Sequence, residues 1–255
     1  MPTADNPRDS ATMNETLSQA RADLAAAFRW AARLGYHESV GNHFTYAVND
    51  DGTRFLVNPW GRHFSEIRAG DLLVSDSRGE VHEGEGVVER SAACIHGPIH
   101  ERIPHARCVL HTHMPWATAL TCVEDGKLEM CHQSSARFYG RIAYDDAFNG
   151  IALDDDEGGR ICNALGNKPI MFMAGHGVLV TGNTVADAFD TLYYLERSCR
   201  HQVMAMSTGR PLRVMSDEVA RRSAEQWHGD GWDAGEQHFA ALKRILEREE
   251  PEYAH

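Results

Sequence analysis

The stretch Arg107-Cys-Val-Leu-His-Thr-His-Met-Pro-Trp-Ala-Thr118 decides how this chain folds and where its chemistry lies. Cys108, Val109 and Leu110 are a short run of strand-forming residues that ends in His111-Thr-His113. A strand points every second side chain to the same face, so the two imidazoles project together. Two neutral nitrogens held by stiff backbone are a first pair of ligands for a divalent metal. Pro115 then breaks the strand and can open a helix, which places the pair at a strand end where a site can meet solvent. A bare His-x-His is more often just two polar residues at a strand terminus, and a third nitrogen ligand is needed to reverse that reading.

Gly175-His176-Gly177 supplies that third imidazole. Glycines on both sides allow a sharp turn and a close approach. The segment follows Pro169-Ile-Met-Phe-Met-Ala174, an apolar strand, just as the His pair follows its own strand. Two strands of one sheet can bring these ends together. Three His ligands with an open position are the usual form of a catalytic divalent site.

Strand and helix patterns interleave around these two stretches. Asn14 caps a helix carrying Leu17, Leu24, Phe28 and Ala31 at steps of three and four, and Gly35 ends it. His43 to Val48 and Arg54 to Val57 form a hairpin around Asn49-Asp-Asp-Gly52, and Leu72 to Val74 is a further strand. Glu89 to Ile103 reads as a helix in which Gly97-Pro98 marks a kink. Thr184 caps a long helix to about Ser207, and two helices follow, Asp217 to Trp227 and Ala234 to Glu249. The boundaries expected are a disordered lead-in over residues 1–13, one α/β domain over 14–210, and a helical C-terminal extension over 211–255.

With 255 residues, 42% apolar and 24% charged, the chain reads as an ordinary globular protein. Its formal net charge of -12 argues against nucleic acid and against an anionic membrane surface as partners. No apolar run is long enough to span a bilayer, and the first residues lack a signal peptide's apolar core. The six cysteines are dispersed with no CxxC, which points to reduced thiols and a cytoplasmic location.

Several stretches recur together and in order: Gly41-Asn-His-Phe-Thr45, Asn58-Pro-Trp-Gly61, Phe64 to Leu72, Ile95-His-Gly-Pro-Ile-His100, Cys108 to His113, and Gly175 to Gly182 leading into Leu195-Glu-Arg197. In these the chain resembles the class II aldolase and adducin head family, and its adducin-like branch closely, over about Leu17 to Met206. The resemblance implies a three-layer α/β/α sandwich around a mostly antiparallel mixed sheet. It implies a homotetramer with sites at subunit boundaries and a small-molecule substrate. It also implies a divalent metal on His111, His113 and His176, zinc ahead of manganese, iron or cobalt.

Departures from the family pattern shape the expected chemistry. At the position where sugar-phosphate aldolases and epimerases of the family carry a carboxylate, this chain has Ala92. Glu89, one helical turn back, is the nearest replacement. Two serines of a phosphate site read Arg90 and Ser91, and a Thr-Gly reads Trp60-Gly61. Arg62 and Arg90 are candidates to fork a substrate carboxylate, Trp60 to cover an apolar or aromatic substrate, Asn42 to contact it, and Tyr139 to donate a proton. Each also has an ordinary reading: Glu89 as a helix-start charge, the arginines and Trp60 as surface residues, and Tyr139 as packing beside Phe138. The expected function is a metal-dependent lyase acting on a C–C bond next to a carbonyl, by decarboxylation or aldol cleavage. A non-catalytic adducin-like assembly scaffold and an ordinary sugar-phosphate aldolase or epimerase stand as the alternatives.

Overall fold

A computed structural model describes residues 7–229 and 234–255, with side chains from Thr16 onward. Its frame is one eight-stranded sheet in the order β4-β3-β2-β1-β5-β8-β7-β6. The strands are β1 (His43–Ala47), β2 (Phe55–Val57), β3 (Leu73–Ser75), β4 (Val81–Glu83), β5 (Cys108–Thr112), β6 (Ile142–Asp145), β7 (Ile170–Met173) and β8 (Gly177–Gly182). Neighbours pair antiparallel except β6 with β7. The mixed, mostly antiparallel sheet matches the expectation.

Period-two alternation along β5 sorts the core into two layers. Cys108 and Leu110 face α1 (Pro7–Leu34) and α6 (Val185–Met206), packing with Phe28, Phe44, Leu192 and Leu195. Val109 faces the other way, toward Ile95 and Ile99 of α2 (Arg90–Arg102) and Ile161 of α5 (Asp155–Leu165). Helices thus cover both faces, giving the α/β/α sandwich. His111 has the parity of Val109, so its imidazole is on the face that α2 covers.

Several boundaries differ from the sequence reading. The first helix begins at Pro7, not at Asn14, so residues 7–13 of the expected lead-in are helical; residues 1–6 lie outside the described ones. Pro98 is accommodated inside an unbroken α2. The short edge strand β4 and three 3-10 turns carry no clear periodicity in the sequence. The C-terminal helices α7 (Asp217–Trp227) and α8 (Ala234–Glu249) match their expected spans. Phe239 and Leu246 of α8, with Tyr253, join the core under α1. The Arg29 guanidinium pairs with Glu250 at 3.1 Å, and the Trp30 indole donates to the Leu242 carbonyl at 3.0 Å.

Two links hold the turn after the His pair. The short helix α3 (Pro115–Thr121) begins on the buried Glu196 of α6, which accepts the Trp116 and Ala117 amides at 2.9 and 2.8 Å. The Gly175 amide donates to the Thr121 carbonyl at 2.8 Å, tying the turn between β7 and β8 to the end of that helix.

Candidate metal centre

His111 lies in the middle of the sheet, paired in register with His43 of β1 on one side and Leu179 of β8 on the other. Its Nδ1–H donates to the Val178 carbonyl at 3.0 Å, which leaves the Nε2 lone pair free. His113 follows the strand, and its Nδ1–H donates to the Glu38 carboxylate in a short contact. The remaining nitrogen, His113 Nε2, is buried with no hydrogen-bond partner. Ring-to-ring distances among His111, His113 and His176 are 4.8 to 5.0 Å, and one ligand atom from each lies within 4.8 Å of the others.

The glycines around His176 have the roles their positions suggested. Gly175 has φ +63°, in the left-handed region that favours glycine, and makes the turn out of β7. A Cβ on Gly177 would lie 2.6 Å from the Thr112 carbonyl oxygen and 2.8 Å from the His113 ring, so only glycine lets β8 approach the His pair this closely.

These donors fit a divalent ion. Burial, and then the neighbouring imidazoles, push His111 well below the ordinary histidine value; burial and His113 push His176 down to about 4. Both rings are therefore neutral ligands at physiological pH. A buried nitrogen with no protein partner costs free energy unless something else binds it. A metal on three imidazoles would give the orphaned His113 Nε2 a partner. The carboxylate behind His113 and the carbonyl behind His111 orient the rings, as the outer partners of metal-bound histidines do.

The three histidines open onto a cavity of about 450 Å³ that Glu38, Trp60, Glu89, Ser91, Phe148 and Ile151 also line. Trp60, Phe148 and Ile151 are exposed at 60, 57 and 74%, so the outer wall is apolar. No Lys or Arg is in the lining.

Of the residues expected to act on substrate, Glu89 and Trp60 line this cavity. Glu89 caps α2: its Oε2 accepts the Ala92 amide at 3.1 Å and makes a short bond with the Ser91 hydroxyl. Ala92 is fully buried beside Phe55, Val57 and Leu73, an environment that would strip a carboxylate of water. Asn42 stands behind the ligands. Its Oδ1 accepts the Glu38 amide at 2.7 Å and the His113 amide at 3.4 Å, linking the two partners of the short contact.

The other three lie elsewhere. Arg90 is spent on the helix junction, donating to the carbonyls of Leu153 and Arg78 at 3.1 and 3.3 Å and to Asp155 at 3.1 Å. Arg62 is exposed and lies 3.6 Å from Asp71. Neither reaches the cavity, so the expected carboxylate fork does not form within the subunit. Tyr139 hydrogen-bonds Asp217 on α7, which raises its pKa, and it too is outside the cavity lining. Helix-start and loop positions gave no sign of side-chain direction in these three cases.

A buried polar chain runs behind the site, and its members were not singled out as site residues in the sequence. Burial pushes His43 down to about 3, His96 well below the ordinary value and His100 to about 4, so all three rings are neutral. A backbone carbonyl can only accept, so the His100 Nδ1–H donates to Ala106 at 2.8 Å. Thr45 then donates to His100 Nε2 at 2.7 Å, His96 Nδ1–H to Thr45 at 2.6 Å, and His43 Nδ1–H to His96 Nε2 at 2.9 Å. His43 Nε2 is left as an acceptor 3.2 Å from the Ser91 hydroxyl, beside Glu89. The repeated His in Ile95-His-Gly-Pro-Ile-His100 was a visible signal; its four-residue spacing places both rings on one helix face.

Residues 22–203 match the model of the family described as Class II Aldolase and Adducin N-terminal domain. The chain belongs to that family. A Caulobacter vibrioides protein named for the class 2 aldolases is 32% identical over 244 residues, covering 95% of this chain and 94% of that one. An aldolase II superfamily protein from Pseudomonas syringae has the same fold, with a TM-score of 0.86 and 34% identity over 93% of this chain and 96% of its own. Alpha-adducin of Rattus norvegicus is 30% identical over 89% of this chain, which spans only 33% of that protein. The three histidines of this class II aldolase fold share their cavity with Glu89.

Proposed function

We propose that this member of the class II aldolase family is a divalent-metal-dependent lyase, breaking or making a C–C bond next to a carbonyl by decarboxylation or aldol cleavage. The observation that carries the reading is one cavity shared by three convergent imidazoles and the Glu89 carboxylate. His111, His113 and His176 would hold an ion such as zinc, which would supply Lewis acidity toward a substrate carbonyl. Glu89 handles the proton. Its Oε2 is engaged by Ala92 and Ser91, and its other oxygen is the one available to a substrate O–H or carbon. Trp60, Phe148 and Ile151 make the outer side apolar and favour an apolar or aromatic substrate body.

Within one subunit the lining holds no Lys or Arg, so a phosphate dianion would meet Glu38 and Glu89 there with no side-chain cation, which weighs against a sugar phosphate. A substrate carboxylate, with one negative charge rather than two, meets less of that repulsion. The active form in this reading is a homotetramer in the cytoplasm, in keeping with six free cysteines and no helix among the described residues long and apolar enough to cross a membrane. Similarity to alpha-adducin supports a second reading, an assembly role without turnover. Incubation of zinc-loaded protein with paired phosphorylated and carboxylated carbonyl compounds, followed by NMR, separates the two. Turnover of a carboxylated compound supports the lyase, and inertness across the panel supports the assembly role.

A further inference from the structure

A second cavity, of about 320 Å³, lies away from the metal centre between the segment leading into α4 (Gln133–Ala136), the end of α6, and the connection to α7. His132 lines it from the first, His201 from the second, and Thr208, Arg210 and Arg213 from the third. The connection is held in place, since the Met215 amide donates to the Met130 carbonyl at 2.9 Å.

Its polar side chains are two imidazoles, a hydroxyl and two guanidinium groups. His132 Nδ1 accepts the Ser134 amide at 3.2 Å, so the neutral ring carries its proton on Nε2. The His132 and His201 rings meet edge-on at 4.5 Å. His201 Nδ1 is buried with no hydrogen-bond partner. Burial lowers the His201 pKa, and His132, Arg197 and Arg200 lower it further by repulsion. No carboxylate lines the cavity, and no ion pair of Arg210 or Arg213 occurs among the described residues. In a chain of net charge -12, this gathering of unpaired cations is against the overall balance. Like charges converging on a concave surface raise the local concentration of an opposite ion. A planar guanidinium pair with imidazole N–H groups suits the oxygens of a phosphate or carboxylate.

We infer that this cavity is a binding site for a small oxyanion, a phosphate monoester or dicarboxylate, held by Arg210, Arg213 and the His132–His201 pair. The bound anion supplies the missing partner of His201 Nδ1 and relieves the repulsion around it. Within the subunit the site shares no lining residue with the three-histidine cavity.

The test is calorimetric titration of the purified oligomer, at low ionic strength, with inorganic phosphate and separately with succinate. It compares wild type, Arg210→Ala/Arg213→Ala, His201→Gln and, as a control for anions meeting the metal centre, His176→Ala. The expected result is saturable binding of at least one anion that weakens roughly tenfold or more in the double arginine variant and in His201→Gln, and persists in His176→Ala. The arginines are exposed in an irregular segment, so the double variant should melt with the wild type. Absence of saturable binding of both anions to the wild type overturns the inference, as does binding lost only in His176→Ala. Because the readout is binding, failure here leaves the lyase proposal standing, and failure of the lyase proposal leaves this result standing.

Discussion

The Glu89 carboxylate accepts the backbone amide of Ala92 at 3.1 Å. The acidic group of this site therefore stands at the cap of α2, one turn before the position where the family's sugar-phosphate enzymes carry theirs. At Ala92 itself a carboxylate would be buried among Phe55, Val57 and Leu73. Glu89 instead lines the three-histidine cavity and caps the helix.

That double role makes two variants separable. Glu89→Gln should keep the fold and the metal while lowering kcat by on the order of 10²–10⁴, the usual contribution of a positioned acid or base. Glu89→Ala should in addition cost about 1 kcal/mol in stability through the lost cap. Steady-state kinetics and thermal melting of the two proteins check this. Unchanged kcat in Glu89→Gln would assign Glu89 to capping alone.

Metal content follows from the donor set. The protein should hold about one divalent ion per chain, as three-His sites do. His111→Ala should lose most of it, because His111 is the ligand fixed in the sheet, between β1 and β8. Glu38→Ala should retain the ion with roughly 10–100-fold weaker affinity, since Glu38 only orients His113. Elemental analysis and competition with a chelator measure both.

Arg90→Ala should leave substrate KM unchanged. Its guanidinium is occupied by Leu153, Arg78 and Asp155, outside the cavity. The Asp155 pair is exposed at both ends, so its loss should change stability by about 1 kcal/mol or less. A tenfold rise in KM would restore the carboxylate fork.

How far the sequence could be read depends on the range of the interactions involved. His111, His113 and His176 were visible because strand parity and flanking glycines are local features. The core helices were visible for the same reason: Phe28, Leu192 and Leu195 repeat at helical spacing. Glu38 gave no signal, because its role exists only once the loop after α1 meets a residue 75 positions away. Phe148 and Ile151 lie in an irregular segment whose direction no periodicity fixes. The direction of Arg90 could not be read because a helix N-terminus can turn a long side chain toward a cavity or toward the next helix, and here it reaches Asp155 of α5.

Glu196 sets a pH dependence of stability. Burial pushes its pKa up to about 6, against the opposing pull of the Trp116 and Ala117 amides. A carboxyl whose folded value exceeds its unfolded one stabilises the fold when protonated. Its contribution is therefore present below about pH 4.5 and lost as pH rises through about 6. That loss amounts to about 2 kcal/mol. Chemical denaturation of wild type and Glu196→Gln between pH 4.5 and 7.5 should show the difference between them changing by that amount, in the wild type's disfavour at higher pH. A pH-independent difference would contradict it.

The lyase reading is tested most directly by turnover at the three-histidine centre. Zinc-loaded wild type and His176→Ala would be incubated with matched carbonyl compounds, one set phosphorylated and the other carrying a carboxylate and an aromatic or apolar body, with products followed by NMR. The account predicts C–C cleavage of a carboxylated compound by the wild type, a loss of at least a hundredfold in His176→Ala, on the order of removing a major electrostatic stabiliser, and poor turnover of the phosphorylated set. Efficient cleavage of a phosphorylated sugar, or equal activity in His176→Ala, would contradict it.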